Sequence, residues 1–220
     1  AQSNRVVRCA KCDLMYANPR SSELDHVKVG RHDPEYLPGM LRRERDPRMD
    51  KERLQVRDCA GTRRLLAQRF PQRGTMLEIG CGLGFLLDCY RGDGWQVRGL
   101  DPDPLMARHA RDVLGVDVRT ATLDESDFAE ASFDVVLMMH VIEHLADPAA
   151  TLARVQRLLR PGGMLVIETP RLDSLAFKLL GARERNMACE GHVYFFTTRT
   201  LAALTGKVGF VQVRCDLVGR

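Results

Sequence analysis

Three groups of residues in this sequence have the types and spacing to do chemistry. The first is Thr75-Met-Leu-Glu-Ile-Gly-Cys-Gly-Leu-Gly-Phe85, an apolar run that enters a turn with glycine at 80, 82 and 84. Glycines in such a turn adopt backbone angles closed to other residues and let a ligand press against the main chain. Asp101 follows 21 residues after Gly80, where a carboxylate can accept hydrogen bonds from two ribose hydroxyls. The second group is His140-Val-Ile-Glu143-His144, with His192 downstream. Histidines titrate near neutral pH and serve as bases or metal ligands, and His140, Glu143 and His144 would share one face if the stretch were helical. The third is Cys9-Ala-Lys-Cys12, a spacing used by zinc knuckles and redox pairs.

The glycine turn admits a dinucleotide or S-adenosylmethionine. The dinucleotide fingerprint G-x-G-x-x-G requires glycine at position 85, and Phe85 stands there; the third glycine comes one residue early. A dinucleotide also brings a pyrophosphate, whereas S-adenosylmethionine brings a sulfonium and an ammonium, which the negative charge of Glu78 would suit better.

These groups need elements to hold them. Short apolar runs at Thr75–Ile79, Gln96–Leu100, Val116–Thr120, Phe133–Met139, Met164–Glu168 and Phe210–Val218 read as strands. Helical patterns at Phe85–Gly92, Leu105–Leu114, Pro148–Leu159 and Thr198–Val208 lie between them. Alternation of this kind argues an α/β fold, a doubly wound, mostly parallel sheet covered on both faces, with ligands outside the carboxyl ends of the strands. Residues 48–220 are read as this domain. Residues 1–19 form a small Cys-bearing appendage, where Arg5–Arg8 and Asp13–Tyr16 read as short strands. Residues 20–47, with Pro34, Pro38 and Pro47, read as irregular linker or lid.

With those motifs in hand, the chain resembles the class I S-adenosylmethionine-dependent methyltransferases, whose fold is Rossmann-like. Leu77-Glu-Ile-Gly-Cys-Gly-Leu-Gly84 is similar to the family's first motif, and Gly99-Leu-Asp-Pro-Asp103 to its acidic second motif. Ser132 through Pro148 resembles the fourth motif, and Leu158-Leu-Arg-Pro-Gly-Gly163 the turn after it. His192-Val-Tyr-Phe-Phe-Thr197 resembles the C-terminal segment of the branch that includes ubiquinone-pathway O-methyltransferases. The resemblance implies that Gly80, Cys81, Gly82 and Leu83 line the methionine part of the cofactor; Glu78, Gly84 and Phe85 complete the expected cofactor-binding stretch. By the same likeness Asp101 holds the ribose, Pro102 and Met106 flank the adenine, and Thr122 and Leu123 approach its edge. His140 faces the methyl group.

If the acceptor is a hydroxyl, a base must take its proton; His140, His144 and His192 are the candidates, His140 foremost. Some relatives hold a divalent ion with such a cluster when its first residue is Glu; here that residue is His140, so a metal at Glu143 and His144 is the weaker of two readings. Cys9 and Cys12 resemble one knuckle of a zinc ribbon whose other half lies elsewhere. His26 and His32 complete a C-x2-C-x13-H-x5-H spacing, but Asp13 to His32 lacks a finger's hydrophobic helix. The last stretch, Phe210–Val218, supplies one strand where the fold usually ends in a hairpin. The acceptor pocket would come from Arg20–Asp46 and Arg171–Gly191.

Composition bounds the rest. At 220 residues with 45% hydrophobic content, the chain fits one domain with a small addition. No apolar stretch reaches the roughly 20 residues of a membrane span. Seven cysteines at irregular spacing do not read as a disulfide framework, which makes a reducing cytoplasm the simplest compartment. The net charge of +4 concentrates between Arg42 and Arg73. Met49, Val56, Cys59, Ala60, Leu66 and Phe70 recur there at near-helical spacing, and no aromatic residues interleave with the arginines, so a solvated helix face is preferred to a nucleic-acid surface.

A small-molecule acceptor is therefore the leading reading. An RNA or protein methyltransferase lacks the N-P-P-Y-type tetrapeptide of many nucleic-acid amino-group methylators, since Met139-His-Val-Ile142 stands in its place. A nucleotide-dependent oxidoreductase and a non-catalytic binding module remain as other classes. Oligomeric state is not legible. Phe85 predicts that the protein binds S-adenosylmethionine and not NAD. Calorimetry with both ligands checks this, and NAD binding alone would overturn it.

Overall fold

A computed structural model describes residues 5–19, 38–39, 59–181, 191–211 and 214–216. Most of the 20–47 stretch, with His26 and His32, and most of the basic segment before Cys59 lie outside the described residues. Five strands form one sheet in the order β5-β4-β3-β6-β7: β3 (Thr75–Ile79), β4 (Gln96–Asp101), β5 (Val118–Thr120), β6 (Phe133–Met139) and β7 (Leu159–Glu168). The pairs β3–β4, β3–β6 and β4–β5 are parallel. Helices α1 (Ala60–Arg69), α2 (Phe85–Gly92), α3 (Pro104–Asp112) and α4 (Pro148–Leu158) alternate with the strands, which gives the expected Rossmann-like architecture. The chain order reverses on the two sides of β3, so the switch point falls beside the glycine turn.

The chain divides into two compact units. The larger comprises Val27–Met138, Leu158–Val166 and Val218–Arg220. Its central strands are apolar on both faces, as a covered sheet requires: Met76, Leu77, Val135, Val136, Leu137 and Met138 are all fully buried. Leu87, Ala107, Ala110, Val116 and Val118 join Cys81 in one core cluster. Small residues set its spacing. A Cβ on Gly84 would lie 2.7 Å from the Ala110 Cβ, and one on Gly99 would meet the Cys81 sulfur and the Leu87 and Val118 side chains at 2.7–2.8 Å.

The smaller unit comprises Ala1–His26, Met139–Arg157 and Ile167–Leu217. It holds a second, antiparallel sheet ordered β1-β2-β8: β1 (Arg5–Arg8), β2 (Met15–Asn18) and β8 (Tyr194–Phe195). Pairing of β2 with β8 was not foreseen, because β8 is two residues long and its partner lies far away in sequence. The unit also contains α5 (Leu175–Leu180) and α6 (Thr198–Lys207), the latter opened by a capping box between Thr197 and Thr200.

The expected strand at Phe210–Val218 differs from what is seen. Among its described residues, Phe210, Val211 and Arg214 to Asp216 form no strand, and Val211 is 87% exposed. Apolar composition alone does not make a strand; cross-strand hydrogen bonds do, and Arg214 instead pairs locally with Asp216 at 2.7 Å. β7 starts earlier than expected, at Leu159 instead of Met164, so the Arg160-Pro-Gly-Gly163 turn joins the strand.

Gly84 sits at φ +85° and faces Ala110. Gly84→Ala adds left-handed strain and steric overlap, and is expected to lower stability by roughly 2–4 kcal/mol in chemical denaturation.

Candidate cofactor and active site

The cofactor residues lie within the larger unit. β3 delivers Glu78 and Ile79 to a turn in which Gly80, Gly82 and Gly84 all have positive φ, at 69°, 54° and 85°. The turn is tied to β4: the Gly80 and Cys81 N–H groups both donate to the Leu100 carbonyl, at 2.7 and 3.1 Å. Gly84 then caps α2.

Asp101, at the end of β4, is 7% exposed. Its Oδ2 accepts from the Gly82 N–H at 2.7 Å and its Oδ1 from the Asp103 N–H at 2.8 Å. The acid expected to hold the ribose is thus also the clasp that closes the glycine turn onto β4. Burial pushes its carboxyl up to about 6, against the lowering effect of those two backbone donors. Asp103 in turn caps α3 by accepting the Leu105 N–H at 2.8 Å.

Glu78 is 3% exposed, and its Oε2 finds no hydrogen-bond partner among the described residues. Burial, then the charge of Asp101, holds its carboxyl well above the usual carboxylate range. A buried acceptor without a donor is costly unless a ligand supplies one. The ammonium of S-adenosylmethionine has the charge and the protons this oxygen lacks, so the residues present fit that cofactor. Cys81, Leu83, Met106 and Leu123 are buried; Phe85 and Pro102 are half-buried. The half-buried Thr122 donates its N–H and its hydroxyl to Glu125, at 2.8 and 2.9 Å, which closes its own turn.

The second group lies within the smaller unit. Ile142–His144 is a single 3-10 turn, not an α-helix. His140 stands before it at φ 56°, a left-handed value uncommon outside glycine. Its Nδ1 is 3.5 Å from Glu143 Oε1 and its Nε2 3.2 Å from Glu168 Oε1. The two carboxylates raise its pKa to about 9, burial opposing them. At neutral pH His140 therefore carries its proton, and an imidazolium cannot accept another. A protonated ring suits the expected role of foremost base less well; Glu143 and then Glu168 cause the shift, and the approach of Glu168 is one that adjacency in sequence did not show.

Glu143 is 1% exposed; Thr169 donates to its Oε2 at 3.0 Å, while Oε1 has no hydrogen-bond partner among the described residues. Burial opposes ionisation of Glu143, but His140, its own backbone and His144 hold its carboxyl below the usual value. Across this turn, β8 brings in His192: the Val193 N–H donates to the Glu143 carbonyl at 2.8 Å, and the Ala17 N–H of β2 to the Val193 carbonyl at 2.8 Å. Glu143, His144 and His192 each offer a donor atom, all within 4.8 Å of one another. His144 Nδ1 lies 2.8 Å from the Gly191 carbonyl, so Nδ1 bears the hydrogen and Nε2 the lone pair. Glu168 and Thr169 were not among the expected site residues; their one sequence signal was their place at the end of the fifth apolar run, Met164–Glu168.

Cys9 and Cys12 sit at the tip of the β1–β2 hairpin, Cys9 half-buried and Cys12 exposed. The backbone N–H groups of Lys11 and Cys12 hold the Cys9 thiol below its usual value. Asp13 beside them pairs with Arg8 at 3.1 Å and with Arg199 of α6.

A profile of the methyltransferase-domain family matches residues 49–214, well over half of the chain. The chain is 38% identical over 114 residues to a ubiquinone biosynthesis O-methyltransferase of Bradyrhizobium sp. (strain ORS 278), covering 49% of this chain and 45% of that one. It is 40% identical over 114 residues to the protein of that name from Cereibacter sphaeroides (strain ATCC 17025 / ATH 2.4.3), covering 49% and 46%. It thus spans under half the length of these relatives. Among solved structures it resembles a possible histamine N-methyltransferase of Thermotoga maritima, at 28% identity and TM-score 0.54 over 64% of each chain. It shares the fold of phosphoethanolamine N-methyltransferase 2 of Haemonchus contortus, solved with S-adenosyl-L-methionine, at 19% identity and TM-score 0.60 over 90% of this chain and 46% of that one. The chain belongs to the class I S-adenosylmethionine-dependent methyltransferase family.

The raised Asp101 carboxyl makes a pH prediction. Between its ordinary 3.8 and about 6 the folded protein holds this proton more tightly than the unfolded chain, so the ligand-free protein loses stability as pH rises through that window. With the ribose placed at Asp101 as expected, its hydroxyls would donate to the ionised form, and cofactor affinity would rise over the same range. Calorimetric titration of S-adenosylhomocysteine between pH 5 and 7.5 is expected to show this rise, and Asp101→Asn to remove the step near pH 6.

Proposed function

We propose that the protein transfers a methyl group from S-adenosylmethionine to an oxygen of a small metabolite. The observation that carries the cofactor half is the buried Oε2 of Glu78, without a hydrogen-bond partner among the described residues, beside a glycine turn clasped by Asp101. Gly80 to Phe85 and Glu78 would hold the methionine end, Asp101 the ribose, and Pro102, Met106, Thr122 and Leu123 the adenine. When bound, the cofactor supplies an electrophilic methyl carbon for in-line displacement, and the chain's part is to align it and exclude water. Oxygen as the acceptor atom is supported by the named reaction of the ubiquinone-pathway relatives.

For the acceptor's proton, His144 and His192 stand ahead of His140, whose imidazolium is held between Glu143 and Glu168 and would orient an acceptor by hydrogen bonding. A second reading is favoured by one observation: Glu143, His144 and His192 each offer a ligand atom, all within 4.8 Å of one another. These three residues fit a divalent ion, which would orient an acceptor hydroxyl and lower its pKa. His144 and His192 would then be ligands, with Thr169 and the Gly191 carbonyl holding Glu143 and His144 in place. The spacing of Cys9 and Cys12 at the tip of a hairpin, with backbone N–H groups that lower the pKa of the Cys9 thiol, supports half of a structural zinc knuckle.

The test is S-adenosylhomocysteine production with a panel of small phenols and catechols, run with and without chelator on protein whose metal content has been measured. Turnover on one of them, with Glu78→Gln weakening S-adenosylmethionine binding about tenfold, is the expected outcome. Undiminished turnover in chelator would sink the metal reading alone. No cofactor binding by the unaltered protein would sink the whole proposal.

A further inference from the structure

His109 had no role in the sequence reading, and its surroundings assign it one. It lies on α3, with Nδ1 3.2 Å from the carbonyl oxygen of Leu83 in the glycine turn. A carbonyl only accepts, so Nδ1 carries the hydrogen and donates. On the other side of the same peptide unit, the Gly84 N–H donates to the Cys81 carbonyl at 3.0 Å. The Leu83–Gly84 peptide is therefore held at both ends: its C=O by a side chain from α3, its N–H by the turn itself. The His109 ring meets the Phe85 ring edge-on, centroids 5.6 Å apart at 65°, and the next residue, Ala110, backs Gly84.

We propose that His109 is a positioning residue for the cofactor, fixing the plane of the Leu83–Gly84 peptide so that the turn keeps the shape that receives the amino-acid end of S-adenosylmethionine. The inference rests on the proposed placement of that end at Gly80–Gly84. The physical need is specific. With glycine on one side, the Leu83–Gly84 peptide meets little steric resistance to turning over, and a turned peptide would present its N–H where its C=O now stands. α3 is well placed to prevent this. It starts at Asp103, whose N–H donates to Asp101, and ends beside Leu83. One rigid helix thus spans from the carboxylate proposed for the ribose to the turn proposed for the methionine, and His109 is its contact with the second. Holding the turn in shape before the ligand arrives removes an ordering cost from binding.

The position of the contact sets the test. Loss of the Nδ1 donor should weaken ligands that carry the amino-acid arm and spare those that lack it. S-adenosylhomocysteine and 5′-methylthioadenosine are such a pair, to be titrated by calorimetry against three forms of the full chain. His109→Phe keeps a ring against Phe85 and removes the donor. It is expected to weaken S-adenosylhomocysteine about fivefold, the worth of roughly one hydrogen bond, and 5′-methylthioadenosine less than twofold. His109→Asn places an amide N–H near Nδ1 and is expected to restore S-adenosylhomocysteine to within twofold of the unaltered protein. Equal loss for both ligands, no loss for either, or failure of the Asn variant to rescue would overturn the inference and leave His109 a packing residue. If the unaltered protein binds neither ligand, the cofactor reading fails, and this inference with it.

Discussion

Glu78 and Asp101 stand at the ends of neighbouring parallel strands, each almost wholly out of water. Burial makes ionisation of either carboxyl unfavourable, and a fold that keeps Asp101 there must offset the cost nearby. For Asp101 the offset is built in: the N–H groups of Gly82 and Asp103 each donate to one of its oxygens. Gly82 can present its N–H this way because it adopts φ +54°, and the turn is narrow because Gly84 packs on Ala110. The turn, the strand end and the start of α3 all converge on one carboxylate. The Oε2 of Glu78 finds no such donor among the described residues, which is the observation that the proposed ammonium contact rests on.

The smaller unit shows the opposite economy. There the negative charges are answered by the chain itself, with the His140 imidazolium between Glu143 and Glu168 and the Thr169 hydroxyl on the far oxygen of Glu143. Holding His140 in that place requires a left-handed backbone, tolerated because its N–H donates to the Glu168 carbonyl at 2.8 Å. His192 is aligned by main-chain bonds running from β2 through β8 to the 3-10 turn. The Cys-bearing hairpin is therefore continuous, through hydrogen bonds, with the strand that carries a candidate site residue. It is not a loose attachment to it.

Family membership and acceptor chemistry have different sources in this molecule. Membership follows from local motifs in a fixed order and from a sheet shared with proteins that methylate chemically unlike acceptors. The proposed acceptor chemistry rests on side chains around the 3-10 turn and β8. There this chain has His140, and the consequence is a charged group held between two acids.

Much of this was readable from one dimension. Helix α2, strands β3 and β6, the glycine turn and Asp101 follow from short-range signals: apolar runs, glycines that must reverse the chain, and an acid at a fixed distance along it. So did the exclusion of a dinucleotide by Phe85. What pattern could not reach depends on partners distant in the chain. β8 exists only because β2 is there to pair with it, and Phe210–Val218, equally apolar in part, is not a strand where it is described. Glu168 joins Glu143 in raising the His140 pKa, and His109 reaches Leu83 across 26 positions. Residue identity settles which chemistry is available, because charge and hydrogen-bonding capacity belong to the side chain. Protonation state, strand pairing and the orientation of a peptide plane belong to the surroundings, and those arise only once the chain has folded.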